Sequence, residues 1–429
     1  MAKEDFLQFI WKHEIFCRRK IRTTCGKILE ILRPGEQNFH SGPDFFNARI
    51  RVDQLVWAGN VEIHLNASDW FKHGHHEDPA YDNVILHVVR NFDCEIWNSY
   101  GRRILSTILE FPGHLGSRYE SLRANDSWLP CNQHIRKISS LLMQHWFTRL
   151  HSERLSQKSD RISRILTQQR LGREEALYRA MGSGYGLPIN SLPFEMMTSG
   201  IPLQLLIELR DNLFDMEAIL FGQSGFLHFG SVRGPYANNL LGRYREKVRF
   251  IPGKPVPQYL WKFLRLRPAS FPTLRISQFA SLIHHRFPMT DALLSFSSIT
   301  ELEQLLRVQA SQYWDTHYVF GKCSPPLVKH LGRQSILTLI INVIVPFLNA
   351  LGKTEQRKSA GDRAVEILSE LEAESNHIIE KWSKFGIKPQ NAFESQALIQ
   401  LHNAYCKQKR CLDCQIGAVI IESAIHEEQ

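Results

Sequence analysis

The sequence predicts an N-terminal α/β domain, a mixed sheet with flanking helices, followed by a mostly α-helical C-terminal domain. Residues 45–65 alternate between apolar and polar side chains around a turn at 53–54, which is the pattern of a β-hairpin. Residues 84–89 form a continuous apolar run, typical of a strand that is buried on both faces. From residue 135 onwards apolar side chains recur at helical spacing instead.

The order of the elements follows from turn signals and from the spacing of apolar residues. In the first domain the predicted elements are a helix over 4–16, a strand over 27–32, the hairpin over 45–65, a crossover over 66–83, a strand over 84–89 and a second hairpin over 94–111. In the second domain helices are predicted around 194–220, 237–248, 276–287, 327–351, 363–385 and 391–405. We expect the domains to comprise residues 1–130 and 131–429, the second ending in a cluster of cysteines.

Composition is that of a soluble protein, and its charge suits an acidic or polyanionic partner as well as a plain soluble protein without one. Of the 429 residues 43% are hydrophobic, an ordinary share for a soluble chain, and the formal net charge is +9. The N-terminal segment is amphipathic and carries acids, unlike a signal peptide. The most apolar run, 336–351, is shorter than the ~20 residues of a spanning helix, so we expect a buried core helix. We therefore expect a cytoplasmic protein with nucleic acid as its partner, no membrane, and cysteines that are reduced or metal-bound.

Two acids stand where hairpin pairing would bring them together. Asp44 precedes the first strand and Glu62 lies near the far end of the second, so antiparallel pairing makes them near neighbours. Carboxylate oxygens are the ligands that Mg²⁺ and Mn²⁺ prefer. His64 projects on the same face as Glu62 and could orient a water or accept its proton. We interpret Asp44, Glu62 and His64 as catalytic candidates; in the alternative, Asp44 caps a turn and Glu62 is a satisfied strand acid.

Pro43-Asp44 followed by Glu62-x-His64, in this order of elements, resembles the PD-(D/E)XK nuclease superfamily over about the first 90 residues. The resemblance implies a restriction-endonuclease-like fold and a metal-dependent nuclease, or hydrolase, that acts on DNA or RNA phosphodiesters. It implies that Asp44 and Glu62 bind Mg²⁺ or Mn²⁺, with Glu14 as a candidate further acid from the first helix. The superfamily carries lysine at the position of His64. An alternative is therefore a catalytically inactive nuclease fold that binds nucleic acid or a protein partner.

The whole chain also resembles an uncharacterised bacterial family, a domain of unknown function. The resemblance rests on Gly-Pro-Asp-Phe at 42–45, on Val-Glu-Ile-His at 61–64, on the segment that joins Asp78 and Tyr81 to the apolar strand, and on the cysteines near the C-terminus. It implies no established activity. We include Asp78 and Tyr81 among the further site candidates.

Histidines crowd the connection between the hairpin and the apolar strand. His73, His75 and His76 lie in a segment rich in metal-capable groups, and with His64 and His87 they could form a zinc site, because imidazole suits zinc. This predicts, as a third hypothesis, a zinc-dependent hydrolase. The alternative is a polar loop whose histidines pair with neighbouring acids.

Cys406, Cys411 and Cys414 form the sharpest cysteine pattern of the chain. The C-x2-C spacing of the last two suits a zinc ion or an iron–sulfur cluster. The alternative is a set of reduced thiols that are partly packed in the core. The candidates for a fourth ligand are His402, which lies four residues before Cys406, and the isolated thiols Cys131 and Cys323.

Arginines and aromatic residues alternate over 261–275. Arg265, Arg267 and Arg275 could fork onto phosphates while the aromatic rings stack on bases, which predicts a nucleic-acid-binding segment. The alternative is a structural linker whose arginines pair with acids on neighbouring helices.

Overall fold

The computed structural model describes residues 3–16, 21–167, 171–228 and 234–423, apart from the side chain of Lys358. The chain divides into two compact units. Unit 1 comprises Met1–Trp146, Lys384–Ile387 and Leu401–Gln429, and unit 2 comprises Phe147–Ser383 and Lys388–Gln400. The C-terminal cysteine segment therefore belongs to unit 1, whereas the sequence analysis grouped it with the helices.

A mixed six-stranded sheet forms the centre of unit 1. Its strands are β1 (Leu29–Arg33), β2 (Glu36–Gln37), β3 (Phe45–Val52), β4 (Leu55–Asn66), β5 (Val84–Asn91) and β6 (Ser106–Ile108). Their order is β1-β3-β4-β5-β6, with β2 paired to β3. β1, β2 and β4 run antiparallel to β3, whereas β5 runs parallel to β4 and β6 runs parallel to β5. The predicted class, a mixed α/β part with a mostly helical remainder, is confirmed.

β3 and β4 form the predicted hairpin. Asp53 adopts the left-handed conformation at the turn (φ 52°), and Val52 pairs with Leu55 across it. Ala48, Ile50 and Val52 are all buried, because alternate side chains of a strand share one face. A shift of one residue would expose this set, so burial fixes the register that brings the far ends of the two strands together.

The second hairpin predicted over 94–111 forms only near its turn, where the backbone N–H of Asn98 donates to Arg102 and that of Ile104 donates to Ile96. Trp97 and Arg103 form an isolated bridge, and β6 joins the main sheet beside β5. The side chain of Asn98 accepts two backbone N–H groups of the intervening turn and closes it tightly. The residues that follow this turn form β6, whose backbone groups pair with those of β5 at the edge of the sheet.

Helices make up most of the remaining chain. In chain order they are α1 (Glu4–Lys12), α2 (Asp69–Lys72), α3 (Gly113–Ala124), α4 (Ser140–Thr167), α5 (Arg173–Tyr185), α6 (Ser191–Gly200), α7 (Leu203–Glu208), α8 (Leu213–Gln223), α9 (Pro235–Lys247), α10 (Pro272–Arg286), α11 (Thr290–Ser295), α12 (Ile299–Leu306), α13 (Arg333–Leu339), α14 (Val345–Thr354), α15 (Lys358–Glu370), α16 (His377–Lys384), α17 (Ala392–Gln400) and α18 (Gln415–Glu422). Two π-helical segments, Ile340–Ile344 and Leu401–Cys406, follow α13 and α17. A two-stranded ribbon, β7 (His317–Val319) with β8 (Lys322–Cys323), lies in unit 2.

The helix predicted over 194–220 is interrupted twice. Pro202 has no N–H with which to continue α6, so a new helix starts after it. Asn212 caps α8 by accepting the backbone N–H groups of Phe214 and Asp215. Apolar periodicity alone does not reveal these breaks, because all three helices bury residues in the same core.

The apolar run of the sequence forms one continuous helical stretch, Arg333–Thr354. Within the described ranges this is the one stretch long and apolar enough to cross a membrane by length and composition. However, 72% of its apolar window is buried inside the protein, and its side chains belong to the main hydrophobic cluster of unit 2. It therefore packs as the core helix that the sequence predicts.

Candidate metal site

A short loop delivers Asp44 to the start of β3. Gly42 has φ 98°, a left-handed conformation that favours glycine. The side-chain amide of Asn38 donates to three carbonyl groups of the loop and holds it closed. The Asp44 carboxylate accepts the backbone N–H of Ile63 at 3.0 Å and the side-chain N–H of Gln8 at 2.8 Å. These bonds orient the carboxylate towards the far end of β4.

Glu62 meets Asp44 there, as the hairpin register predicts. Its Oε2 accepts the backbone N–H of Asp44 at 3.0 Å. Its Oε1 lies 3.5 Å from Nε2 of His64 and 3.4 Å from Nε2 of His75. Only 5% of Glu62 is exposed, so one carboxylate oxygen is tied to the loop while the other faces histidines.

His64 lies at the centre of a network of imidazoles. Its Nδ1 lies 2.9 Å from Nε2 of His87 on β5. Its Nε2 lies 3.1 Å from Nδ1 of His73 and 3.7 Å from Oε1 of Glu4. If Nδ1 donates to His87, the lone pair of Nε2 points at the carboxylates, which is the tautomer of a metal-binding histidine.

The connection between β4 and β5 presents the other two histidines. The buried Trp70 of α2 anchors it by donating its indole N–H to a backbone carbonyl 3.0 Å away. His73 follows α2 directly and is exposed, whereas His75 turns inwards and stacks on Tyr81 with 3.8 Å between ring centroids. Gly74, with φ 76°, makes the turn between the two histidines.

The acids of this region carry unusually basic carboxylates. Burial raises the pKa of Glu62 to about 7, and burial followed by the charge of Glu62 raises the pKa of Asp44 to about 7. Burial and then the charge of Asp44 raise the pKa of Glu4 to about 7. Burial lowers the pKa of His64 and His75, which keeps these imidazoles neutral. The site therefore gathers anions and neutral nitrogen donors, which favours the binding of a cation.

We call Glu4, Asp44, Glu62, His64, His73 and His75 the acid–histidine cluster. Among the described residues, one group of three or more metal-capable side chains brings its ligand atoms within 4.8 Å of one another, and it is formed by His64, His73 and His75. Ligands around one ion with bonds of about 2.1 Å lie roughly 3–3.5 Å apart. The separations of 3.1–3.7 Å between the cluster's donor atoms are close to this spacing.

The structure also locates the other candidates around this cluster. Tyr81 packs beneath His75, and burial followed by the charges of Glu62 and Asp44 raises the pKa of Tyr81 to about 12. His76 turns to Glu77, with Nε2 3.4 Å from Oε1. Asp78 caps the short helical turn at Pro79–Tyr81 by accepting a backbone N–H.

The first helix supplies Glu4 and Gln8, which sequence reasoning missed. Glu14 was the expected acid, but α1 ends at Lys12 and Glu14 lies beyond it. Eight helical steps of about 1.5 Å carry the chain roughly 12 Å from Glu4 to Lys12, and Glu14 follows beyond that end. Glu4 and Gln8 are four residues apart and share one helix face, a spacing that groups the two side chains but does not show what that face contacts.

The predicted nucleic-acid segment divides into exposed and bonded arginines. Arg265 and Arg267 are exposed in unit 2, and Arg265 has φ 64°. Arg275 is largely buried and donates to Gln278 at 3.2 Å and to Ser335 at 2.6 Å. Of the three arginines predicted in this segment, Arg265 and Arg267 are thus the two that a phosphate could reach.

Comparison with known proteins adds one finding. The model of a family described as protein of unknown function DUF2851 matches residues 4–377. This range contains every residue of the acid–histidine cluster. No curated protein and no solved structure is significantly similar to the chain.

Proposed function

The chain belongs to the DUF2851 family of unknown function, and we propose that it is a metal-dependent hydrolase of nucleic-acid phosphodiesters. The observation that carries this proposal is the convergence of three carboxylates and three imidazoles at the open end of the β3–β4 hairpin. The two metal hypotheses of the sequence analysis, a carboxylate site and a histidine site, merge into one.

The chemistry of the donor set fits a divalent transition metal. Burial raises the pKa of Glu62, and burial together with the charge of a neighbouring carboxylate raises the pKa of Asp44 and Glu4; a bound cation would compensate these charges. Imidazole nitrogens suit Zn²⁺ and carboxylate oxygens suit Mn²⁺, so the mixed set favours these ions over Mg²⁺. When bound, such an ion supplies Lewis-acid activation of a water and charge stabilisation at a phosphoryl oxygen.

The residues of the cluster divide into inner ligands and outer groups. Glu62, His64 and His75 are at most 9% exposed and would hold the ion from inside. His64, which the sequence analysis assigned to the water, is better suited as a ligand because its Nδ1 is engaged by His87. The side chain of Glu4 is 38% exposed, so it can accept a proton from a water at the cluster.

The phosphodiester substrate class rests on the hairpin and on charge. The antiparallel hairpin with an acid at each far end, followed by a crossover and a parallel strand, supports the proposal of a restriction-endonuclease-like fold. The PD-(D/E)XK resemblance of Asp44 and Glu62 supports cleavage of nucleic acid. The net charge of +9 and the exposed Arg265 and Arg267 support binding to a polyanion.

The test combines metal binding with cleavage. We expect the full-length protein to bind Mn²⁺ or Zn²⁺ more tightly than Mg²⁺ in calorimetric titrations. With one of these ions we expect it to cleave at least one of single-stranded DNA, duplex DNA and RNA, and we expect a chelator to stop cleavage. Glu62→Gln should reduce cleavage by at least a hundredfold, because it removes a charged ligand without changing its shape.

Glu77→Gln is the matched control, because Glu77 lies near the cluster but its side chain is 82% exposed. Cleavage that persists in Glu62→Gln would contradict the proposal. Tight metal binding without cleavage of any of the three substrates would refute the hydrolase and support the inactive, nucleic-acid-binding alternative.

A further inference from the structure

A second site lies in unit 1, away from the acid–histidine cluster in sequence. We propose that Cys131, Cys406, Cys411 and Cys414 hold an iron–sulfur cluster that fastens the C-terminal segment to the chain around residue 131. We call these residues the four-cysteine cluster. Three of them come from the C-terminal pattern C-x4-C-x2-C, and the fourth lies more than 270 residues earlier.

The C-terminal segment turns three thiols towards one place. Cys406 ends a π-helical segment, and Cys411 and Cys414 bracket a tight turn in which the backbone N–H of Cys414 donates to the carbonyl of Cys411 at 3.3 Å. Cys414 is the N-cap of α18, so its sulfur lies at the positive end of a helix. A side chain at Gly417 would come within 2.0 Å of the Cys411 carbonyl, so the turn requires glycine there.

Several independent contacts hold the segment around Cys131 against this turn. The Trp128 ring stacks on His402 with 4.1 Å between centroids. Lys409 donates to the backbone carbonyl of Arg123 at 3.0 Å and pairs with Asp126 at 2.6 Å. The contacts of His402 and Lys409 lie on either side of Cys406 in sequence and join it to residues 123–128, so the segment just before Cys131 packs beside Cys406. The ring of His402, one candidate for the fourth ligand, stacks on Trp128. We therefore assign the fourth position to the other candidate in this region, the thiol of Cys131.

The four thiols are close enough to act on one another electrostatically. Burial raises the pKa of Cys131 to about 12, and the charges of Cys414 and Cys411 raise it further. Burial raises the pKa of Cys406 well above its usual range, and the charges of all three other thiols add to this effect. Burial and then the charge of Cys414 raise the pKa of Cys411 to about 11. Four thiols in mutual reach form an iron–sulfur or zinc ligand set, and iron or zinc would compensate the thiolate charges.

The four sulfurs are not gathered as tightly as a single zinc ion would hold them, which favours an iron–sulfur cluster. With bonds of about 2.3 Å, a tetrahedral zinc holds its sulfurs ~3.8 Å apart. Within the part of the chain that the structure describes, no three of these sulfurs lie within 4.8 Å of one another. An iron–sulfur cluster holds its cysteines further apart, because irons and bridging sulfides lie between them.

Binding is a ligand exchange without net oxidation or reduction. Each cysteine thiol releases its proton to solvent, and its sulfur forms a bond to one iron of the cluster. The described cysteines are all free thiols, so the four ligands are available. No other described cysteine lies in this segment: Cys323, the remaining candidate, belongs to unit 2.

The experiment measures iron and acid-labile sulfide in full-length protein purified without oxygen, and again after anaerobic reconstitution with ferrous and ferric iron and with sulfide. We expect iron and sulfide in equal amounts, together with the broad visible absorption of a protein-bound cluster that dithionite bleaches. Cys131→Ser should lose most of this absorption, whereas Cys94→Ser, which alters a partly buried thiol elsewhere in unit 1, should retain it.

Each alternative result has a definite meaning. One zinc per chain without sulfide would overturn the iron–sulfur assignment, and the absence of both metals after reconstitution would overturn the site. A cluster retained in Cys131→Ser would overturn the role of Cys131. Circular dichroism of each variant separates loss of a ligand from loss of folding, and the wild-type metal analysis does not depend on any variant.

Discussion

Replacing Glu62 with glutamine should stabilise the metal-free protein at alkaline pH. Burial raises the pKa of Glu62 from 4.5 to about 7. The folded state therefore holds the Glu62 proton to higher pH than the unfolded state does. The stability that comes from keeping Glu62 protonated in the folded protein is fully present below about pH 4.5. It is lost as pH rises through about 7. A change from 4.5 to about 7 corresponds to about 3 kcal/mol of unfolding free energy.

Glutamine keeps the shape of Glu62 and its acceptor for the Asp44 N–H, but it carries no charge. In a chelator we expect Glu62→Gln and the wild type to be equally stable at about pH 4. At about pH 8 the variant should be more stable by about 3 kcal/mol. Urea unfolding followed by tryptophan fluorescence measures the difference, and Glu77→Gln serves as the exposed control.

Saturating Mn²⁺ or Zn²⁺ should reverse this order. A ligand at about 1,000 times its dissociation constant stabilises the folded state by about 4.1 kcal/mol, which exceeds the ~3 kcal/mol disadvantage of the wild type, and only the wild type retains the charged ligand. The reasoning is refuted if Glu62→Gln is less stable than the wild type in chelator at about pH 8. That result would mean that the carboxylate is already compensated without a metal.

Three further substitutions test the metal site, the loop before β3 and a buried lysine of unit 2. His75→Asn should weaken metal binding about 10–100-fold in calorimetric titrations, whereas His76→Asn, in the same loop, should leave it within about twofold. Gly42→Ala should cost about 1–2 kcal/mol in urea unfolding and also weaken metal binding, while Gly26→Ala, at φ 86° away from the cluster, should cost stability alone. Burial lowers the pKa of Lys158 to about 7. Between about pH 7 and pH 10 the unfolded state therefore binds more protons than the folded state, so the stability of the wild type should rise with pH. Lys158→Met should abolish this rise, and thermal unfolding measures it.

The pairing of Asp44 with Glu62 was predictable because it depends on local sequence. The alternation that buries Ala48 and Ile50 fixes the hairpin register, and the register alone places the two acids at one end. The sequence also identified His64, since a strand side chain two residues from Glu62 must share its face. Period-two patterns therefore carried the prediction of the central part of the site.

The rest of the acid–histidine cluster depends on contacts between elements that are distant in sequence. Glu4 reaches the cluster because α1 packs against β4, and no spacing within α1 reveals which face that will be. His73 and His75 were candidates, but their union with the carboxylates depends on how Trp70 anchors the crossover. Tertiary packing decides both cases, and a single sequence does not encode packing as a periodic signal.

The four-cysteine cluster has a further consequence for how unit 1 is held together. Unit 1 is discontinuous in sequence, because unit 2 occupies most of the chain between Trp146 and Leu401. A cross-link between Cys131 and Cys406 closes a loop of roughly 275 residues, and closing so long a loop restricts the unfolded chain by about 5 kcal/mol. The contacts of Lys409 are partly exposed ion-pair and backbone contacts, each contributing about 1 kcal/mol or less. A bond through the four-cysteine cluster would therefore restrain the C-terminal segment in unit 1 more strongly than the contacts of Lys409 do.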